Sequence, residues 1–137
     1  MKIAFYGSSL VSSYWNGAAT YYRGLLRELA GRGYEISFYE PDAFDRQRHR
    51  DIAAPAWARS IVYPATADGL TGALAEAARA DVLIKASGVG VFDTQLLEGI
   101  VAHARPDALR IFWDVDAAAT LDEMRGDAGH PVRRIVP

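Results

Sequence analysis

The chain has 137 residues, half of them apolar and 23% charged, as expected of one globular domain that buries about two thirds of its unfolded surface. Fifteen basic against seventeen acidic side chains give a net charge of -2, which disfavours a phosphate-tracking nucleic-acid surface. With no cysteine there is no disulfide, thiolate zinc site or cysteine nucleophile, and His49, His103 and His130 lack the i, i+4 spacing of a helical metal pair.

The first apolar run, Ile3–Tyr6, is too short for the apolar region of a signal peptide and predicts a strand. No stretch is long and unbroken enough to span a membrane, so the expectation is a cytoplasmic protein without a membrane span. A loop from Gly7 to Gly17 follows. It does not match G-x-G-x-x-G, which argues against a dinucleotide fingerprint. At its end Asn16 and Gly17 open a helix whose free N–H groups can hold an anion or a sugar hydroxyl. Equally, Asn16 can simply cap that helix.

Tyr22, Leu25, Leu26 and Leu29 recur at helical spacing, with Gly31 and Gly33 as the stop. Ile36–Tyr39 predicts the second strand, and Glu40 at its end could imitate a ribose-binding acid. Residues 41–59 show no sustained apolar period and predict a loop with one short helix. Arg46, Arg48 and Arg50 there could clamp a phosphate, but Asp42, Asp45 and Asp51 flank them, and a solvated charged loop is the preferred reading.

Ile61–Tyr63 predicts the third strand. Leu70, Ala73, Leu74, Ala77 and Ala78 predict a helix capped by Thr66 or Asp68, and Val82–Ile84 predicts the fourth strand. Lys85–Asp93 follows, where Gly88 and Gly90 permit close approach of a ligand before a helix N-terminus; their other role is turn geometry, with Asp93 as the cap. Leu97, Ile100, Val101 and Ala104 predict a helix ending before Pro106. After a fifth strand, Leu109–Trp113, come Asp114 and Asp116, whose i, i+2 spacing on extended chain would let them grip a cation or hydroxyls. Asp116 can instead cap a helix starting at Ala117. Pro131–Pro137 reads as the approach to a sixth strand, so a longer polypeptide is expected.

Near-continuous apolar strands alternating with helices predict an α/β fold. It is an open, Rossmann-like parallel sheet of order 3-2-1-4-5, with a sixth strand left as an option, and has helices on both faces. Residues 1–137 form one domain, without repeat or linker. Ligands of such sheets sit beyond the carboxyl ends of the strands, so the segments beginning at Gly7, Ser87 and Asp114 are expected along one rim. There is no G-x-S-x-G elbow or P-loop, and strand one ends in Gly7, not in the acidic pair of a phosphoacceptor domain.

Phe5-Tyr6-Gly7-Ser8-Ser9-Leu10, Asn16–Arg23, Lys85–Asp93 and Phe112-Trp113-Asp114-Val115-Asp116 occur in this order at compatible spacing. The set resembles the N-terminal half of glycosyltransferase-like proteins related to the bacterial spore-maturation glycosyltransferases, which have the two-domain GT-B fold. The resemblance spans Lys2 to Val136. It implies the acceptor-side wall of an interdomain cleft, formed by Asn16, Gly17, Ser87, Gly88, Gly90, Asp114 and Asp116. A C-terminal domain missing from this chain would hold most of the nucleotide-sugar donor, and no metal or other cofactor is implied. The resemblance itself assigns no base; Asp114 is the candidate that would take a proton from an acceptor of unknown identity in an inverting displacement, or merely orient substrate in a retaining enzyme. Ala117-Ala118-Ala119 stands where related sequences tend to carry Thr-Pro, so no hydroxyl contact is implied there. On this reading the chain alone is inactive.

Two other readings stand beside it. One is a non-catalytic Rossmann-like module that binds a nucleotide or partner. The other is a single-domain metal-dependent enzyme using Asp114 and Asp116, whose spacing resembles the Asp-x-Asp signature of metal-dependent glycosyltransferases. Tyr14, Trp15 and Trp57 could stack on sugar rings, pack against a partner domain or simply complete the core.

Overall fold

The computed structural model describes residues 1–134. Five strands, β1 (Lys2–Tyr6), β2 (Glu35–Asp42), β3 (Ala58–Pro64), β4 (Val82–Ala86) and β5 (Leu109–Trp113), pair in parallel in the order β3-β2-β1-β4-β5. Four helices connect or follow them: α1 (Ala18–Gly31), α2 (Ala67–Ala77), α3 (Asp93–His103) and α4 (Ala117–Gly126). This is the expected Rossmann-like order, and its reversal of direction falls between β1 and β4.

Register explains why the central strands are apolar throughout. Phe5 sits between Phe38 and Ile84 in adjacent strands, and successive side chains alternate between two covered faces. On one face Phe5, Phe38 and Ile84 pack under Tyr22 and Leu26 of α1. There the Phe5 ring stacks on Phe38 at 5.3 Å and meets Tyr22 edge-on at 5.1 Å. On the other face Ala4, Tyr6, Tyr39 and Leu83 pack against Leu70 and Leu74 of α2 and Leu96 and Ile100 of α3. Gly69 lets α2 approach this closely, since a Cβ there would lie 2.2 Å from the Pro64 carbonyl oxygen.

Helix ends follow ordinary capping chemistry. Thr66 accepts the Gly69 N–H at 3.1 Å to start α2. Gly33, at φ +87°, turns the chain out of α1 while its N–H reaches Ala30 O.

Three expectations need adjusting. β2 and β3 run longer than their apolar cores, because Pro41 and Asp42 continue the ladder against Tyr63 and Pro64. The 41–59 loop carries its short helix as a 3₁₀ turn, Arg46–His49. Among the described residues there is no sixth strand: Pro131–Arg134 forms a 3₁₀ turn that packs against α3, and residues 135–137 lie outside the described residues. No helix among the described residues is long and apolar enough to cross a membrane.

Candidate functional site

All five strands point their carboxyl ends at one edge, and the loops leaving β1, β2, β4 and β5 meet there. The loop after β1 is held from inside by Glu40. This carboxylate is fully buried and accepts hydrogen bonds from the Leu10 N–H (2.6 Å), the Ser9 hydroxyl (3.1 Å) and the Gln47 amide. Its oxygens organise the loop, which corrects the reading of Glu40 as a ribose-binding acid. Asn16 is buried too. Its Oδ1 accepts from the Ser8 hydroxyl, and its Nδ2 donates to the carbonyls of Ser9 and Ser12 at 3.0 and 2.9 Å. Both amide hydrogens are taken up within the loop, so Asn16 is neither a free donor nor the helix cap. Gly17 is the capping residue of α1, exposed, with open space around its Cα.

A bidentate pair between Arg23 of α1 and Asp51 pins this loop from outside, and the Ser13 N–H and hydroxyl also donate to Asp51. The Arg23 guanidinium, more than any other contact, holds the Asp51 carboxyl well below the usual carboxylate range. A depressed folded value contributes stability above the ordinary carboxylate pKa, and that contribution is lost as pH falls. The melting temperature of the native protein should therefore fall more steeply between about pH 4 and about pH 2 than that of Asp51→Asn. Parallel curves would remove the pair from the account of acid stability.

After β4, Gly88 and Gly90 adopt φ +66° and +102°, conformations that favour glycine. The N–H groups of Val89 and Gly90 donate to Asp93 at 3.2 and 2.8 Å, so this side chain already fills the anion position the loop creates. Asp93 also receives the ammonium of Lys85, a side chain only 5% exposed whose Nζ lies 5.4 Å from the Phe112 ring centroid. Gly90 approaches the Phe44 ring, not open space, whereas Gly88 is exposed and open.

Ser87 ties this loop to the next. Its N–H donates to Trp113 O at 2.8 Å and its Oγ accepts the Val115 N–H at 3.0 Å. Asp114 folds back to accept the Asp116 N–H at 3.0 Å. The pair therefore does not lie along extended chain with parallel carboxylates, and the cation-gripping geometry expected from i, i+2 spacing is replaced by a turn into α4. That helix starts at Ala117 as expected, but Asp116 makes no capping bond with its side chain. Burial raises the Asp114 pKa, yet hydrogen bonds from Thr120, the Asp116 N–H and Ser87, with the Lys85 charge, outweigh it and hold the carboxyl below its ordinary value.

Ser87 and Gly88 line a cavity of about 220 Å³ with Lys85, Asp93, Thr120 and His130. His130 Nδ1 accepts the Val132 N–H, leaving the ring proton on Nε2, 3.6 Å from Glu123. A larger cavity, about 380 Å³, lies beside Lys2, Ile3 and Glu35 at the opposite, amino ends of the strands, away from the edge where open α/β sheets bind ligands.

Ser87, Gly88, Asp114 and Asp116 thus form one contiguous patch, while Asn16 and Gly17 belong to the neighbouring β1 loop. The two loops are bridged by Arg46, whose Nη1 donates to Ser8 O and Val89 O at 3.2 and 3.3 Å. The three arginines of the charged run separate: Arg46 is buried, Arg48 pairs with Asp45 in solvent, and Arg50 bonds Gln47. Sequence reasoning missed Lys85 and Thr120; it named Arg46 only with Arg48 and Arg50, as a phosphate clamp set below a solvated charged loop, whereas Arg46 is buried. A single lysine inside the apolar strand Val82–Ala86 was a usable signal; nothing in the sequence sets Arg46 apart from its neighbours. Comparison with family models, curated proteins and solved structures gives no match to this chain.

Proposed function

We propose that this domain is the acceptor-side wall of a glycosyltransferase that moves a sugar from a nucleotide-sugar donor to an acceptor hydroxyl. The observation that supports the reading is the meeting of the β1, β4 and β5 loops at one rim, beside a polar cavity and an ionised Asp114. Thr120 and Ser87 already place hydroxyl groups against Asp114, and a sugar hydroxyl is a donor of the same kind. A carboxylate with lowered proton affinity is a weak base, so the role that fits Asp114 is to orient the acceptor hydroxyl. Donor contacts would come from a second domain.

The test is nucleotide release from a panel of nucleotide sugars by the protein expressed from its complete reading frame. Asp114→Ala is expected to lower turnover about 100-fold while donor affinity is retained, because misplacing a reacting group costs on that order. Unchanged turnover would remove Asp114 from the site. Nucleotide binding without turnover on any donor would instead favour the non-catalytic binding module.

A further inference from the structure

The crevice between the β1 and β4 loops, where the strand order reverses, is the place in an open α/β sheet where ligands bind. In this protein a side chain of the domain itself occupies it. Arg46 is only 6% exposed, yet among the described residues no carboxylate lies within ion-pair distance of its guanidinium. Its two hydrogen bonds, to Ser8 O and Val89 O, are long and go to neutral carbonyls, and its Nε is buried with no acceptor. A buried cation so weakly compensated is costly unless an anion completes it.

A second incompletely bonded donor lies beside it. The Tyr22 hydroxyl is fully buried with the Ser8 hydroxyl as its polar neighbour, makes no hydrogen bond of standard geometry, and lies within reach of the Arg46 charge. Of the two carboxylates that face this cluster, Glu40 is already matched by three donors and Asp93 by Lys85 and two amides. The roof is Phe44. Its ring lies over the guanidinium, 4.8 Å from centroid to Cζ, and against Gly90 across the crevice. Phe44 and Asp45 are consecutive left-handed residues (φ 58° and 55°), and the Phe44 ring is half exposed. The chain bears backbone strain to hold an aromatic ring over a buried, incompletely bonded cation.

We propose that this crevice is a subsite for a tetrahedral oxyanion of the phosphate class, bound by Arg46 and the Tyr22 hydroxyl beneath Phe44, which the ligand displaces. The fork of guanidinium donors suits phosphate oxygens. The proposal does not rest on sugar transfer, since its readout is binding alone.

The experiment is an NMR titration of the intact chain with inorganic phosphate, and separately with a sugar phosphate monoester, against chloride at matched ionic strength. Saturable shifts centred on the Ser8 and Val89 amides and the Arg46 Nε–H are expected. Tighter binding of the ester would assign the subsite to a phosphorylated metabolite, and equal binding to free phosphate. Arg46→Met should weaken binding at least about tenfold, Arg48→Met should leave it unchanged, and Phe44→Ala should bind at least as tightly as the native protein. Shifts that do not saturate or centre elsewhere, or equal losses in the Arg46 and Arg48 variants, would overturn it. Loss of binding in Phe44→Ala would also overturn the displaced roof. Should Arg46→Met fail to fold, the Nε–H resonance of the native protein still decides.

Discussion

Replacing Glu40 by alanine is expected to destabilise the domain by about 3–5 kcal/mol. The carboxylate sits at zero exposure and takes hydrogen bonds from Leu10 N–H, the Ser9 hydroxyl and Gln47. Alanine leaves the first two as buried donors, each costing about 1–3 kcal/mol when unmatched. It also removes the nearest negative charge from Arg46: burial pushes that guanidinium's pKa down, and Glu40 is the main influence holding it up. Glu40→Gln should cost clearly less, because one acceptor oxygen and most of the volume remain. Urea denaturation measures the cost, and hydrogen exchange at the Leu10 amide locates it, since the loop after β1 should open first. A cost below about 1 kcal/mol with unchanged Leu10 protection would mean that the loop is held by its other contacts.

The sheet was legible because its strands are short apolar runs buried on both faces, a pattern that needs no tertiary knowledge. Strand ends were less so: Pro41 and Asp42 belong to β2 only because β3 continues alongside. Part of the rim was legible from topology alone, since Ser87 and Asp114 follow strands whose carboxyl ends must share an edge. The functions of Glu40, Asn16 and Arg46 were not. Glu40 ends the apolar part of β2, Asn16 follows two aromatic residues and Arg46 lies in a charged run, and in none of these settings does the local sequence show what the side chain will face. Asn16 looks like a cap in sequence, yet it faces Ser8, Ser9 and Ser12 instead of the helix. Conversely, α4 has a helical start signal but buries none of its residues; its Thr120 and Glu123 instead line the cavity beside Ser87.

The Lys85–Asp93 pair should respond asymmetrically to removal of either partner. Lys85 is almost wholly enclosed, whereas 39% of the Asp93 side chain is exposed. Asp93→Ala strands an ammonium in a low-dielectric setting and frees the Val89 and Gly90 amides, which predicts a loss of about 3–5 kcal/mol. Lys85→Met keeps the length of the side chain against Phe112, and Asp93 retains its two amides and access to water. That substitution should cost no more than about 1 kcal/mol. Because the Asp93→Ala penalty is mostly that of the stranded charge, the double variant should be more stable than Asp93→Ala alone. Chemical denaturation of the native protein, both single variants and the double variant gives the coupling directly. Equal costs for the two single variants, with no recovery in the double, would mean that Asp93 acts only through the backbone turn at Gly88–Gly90.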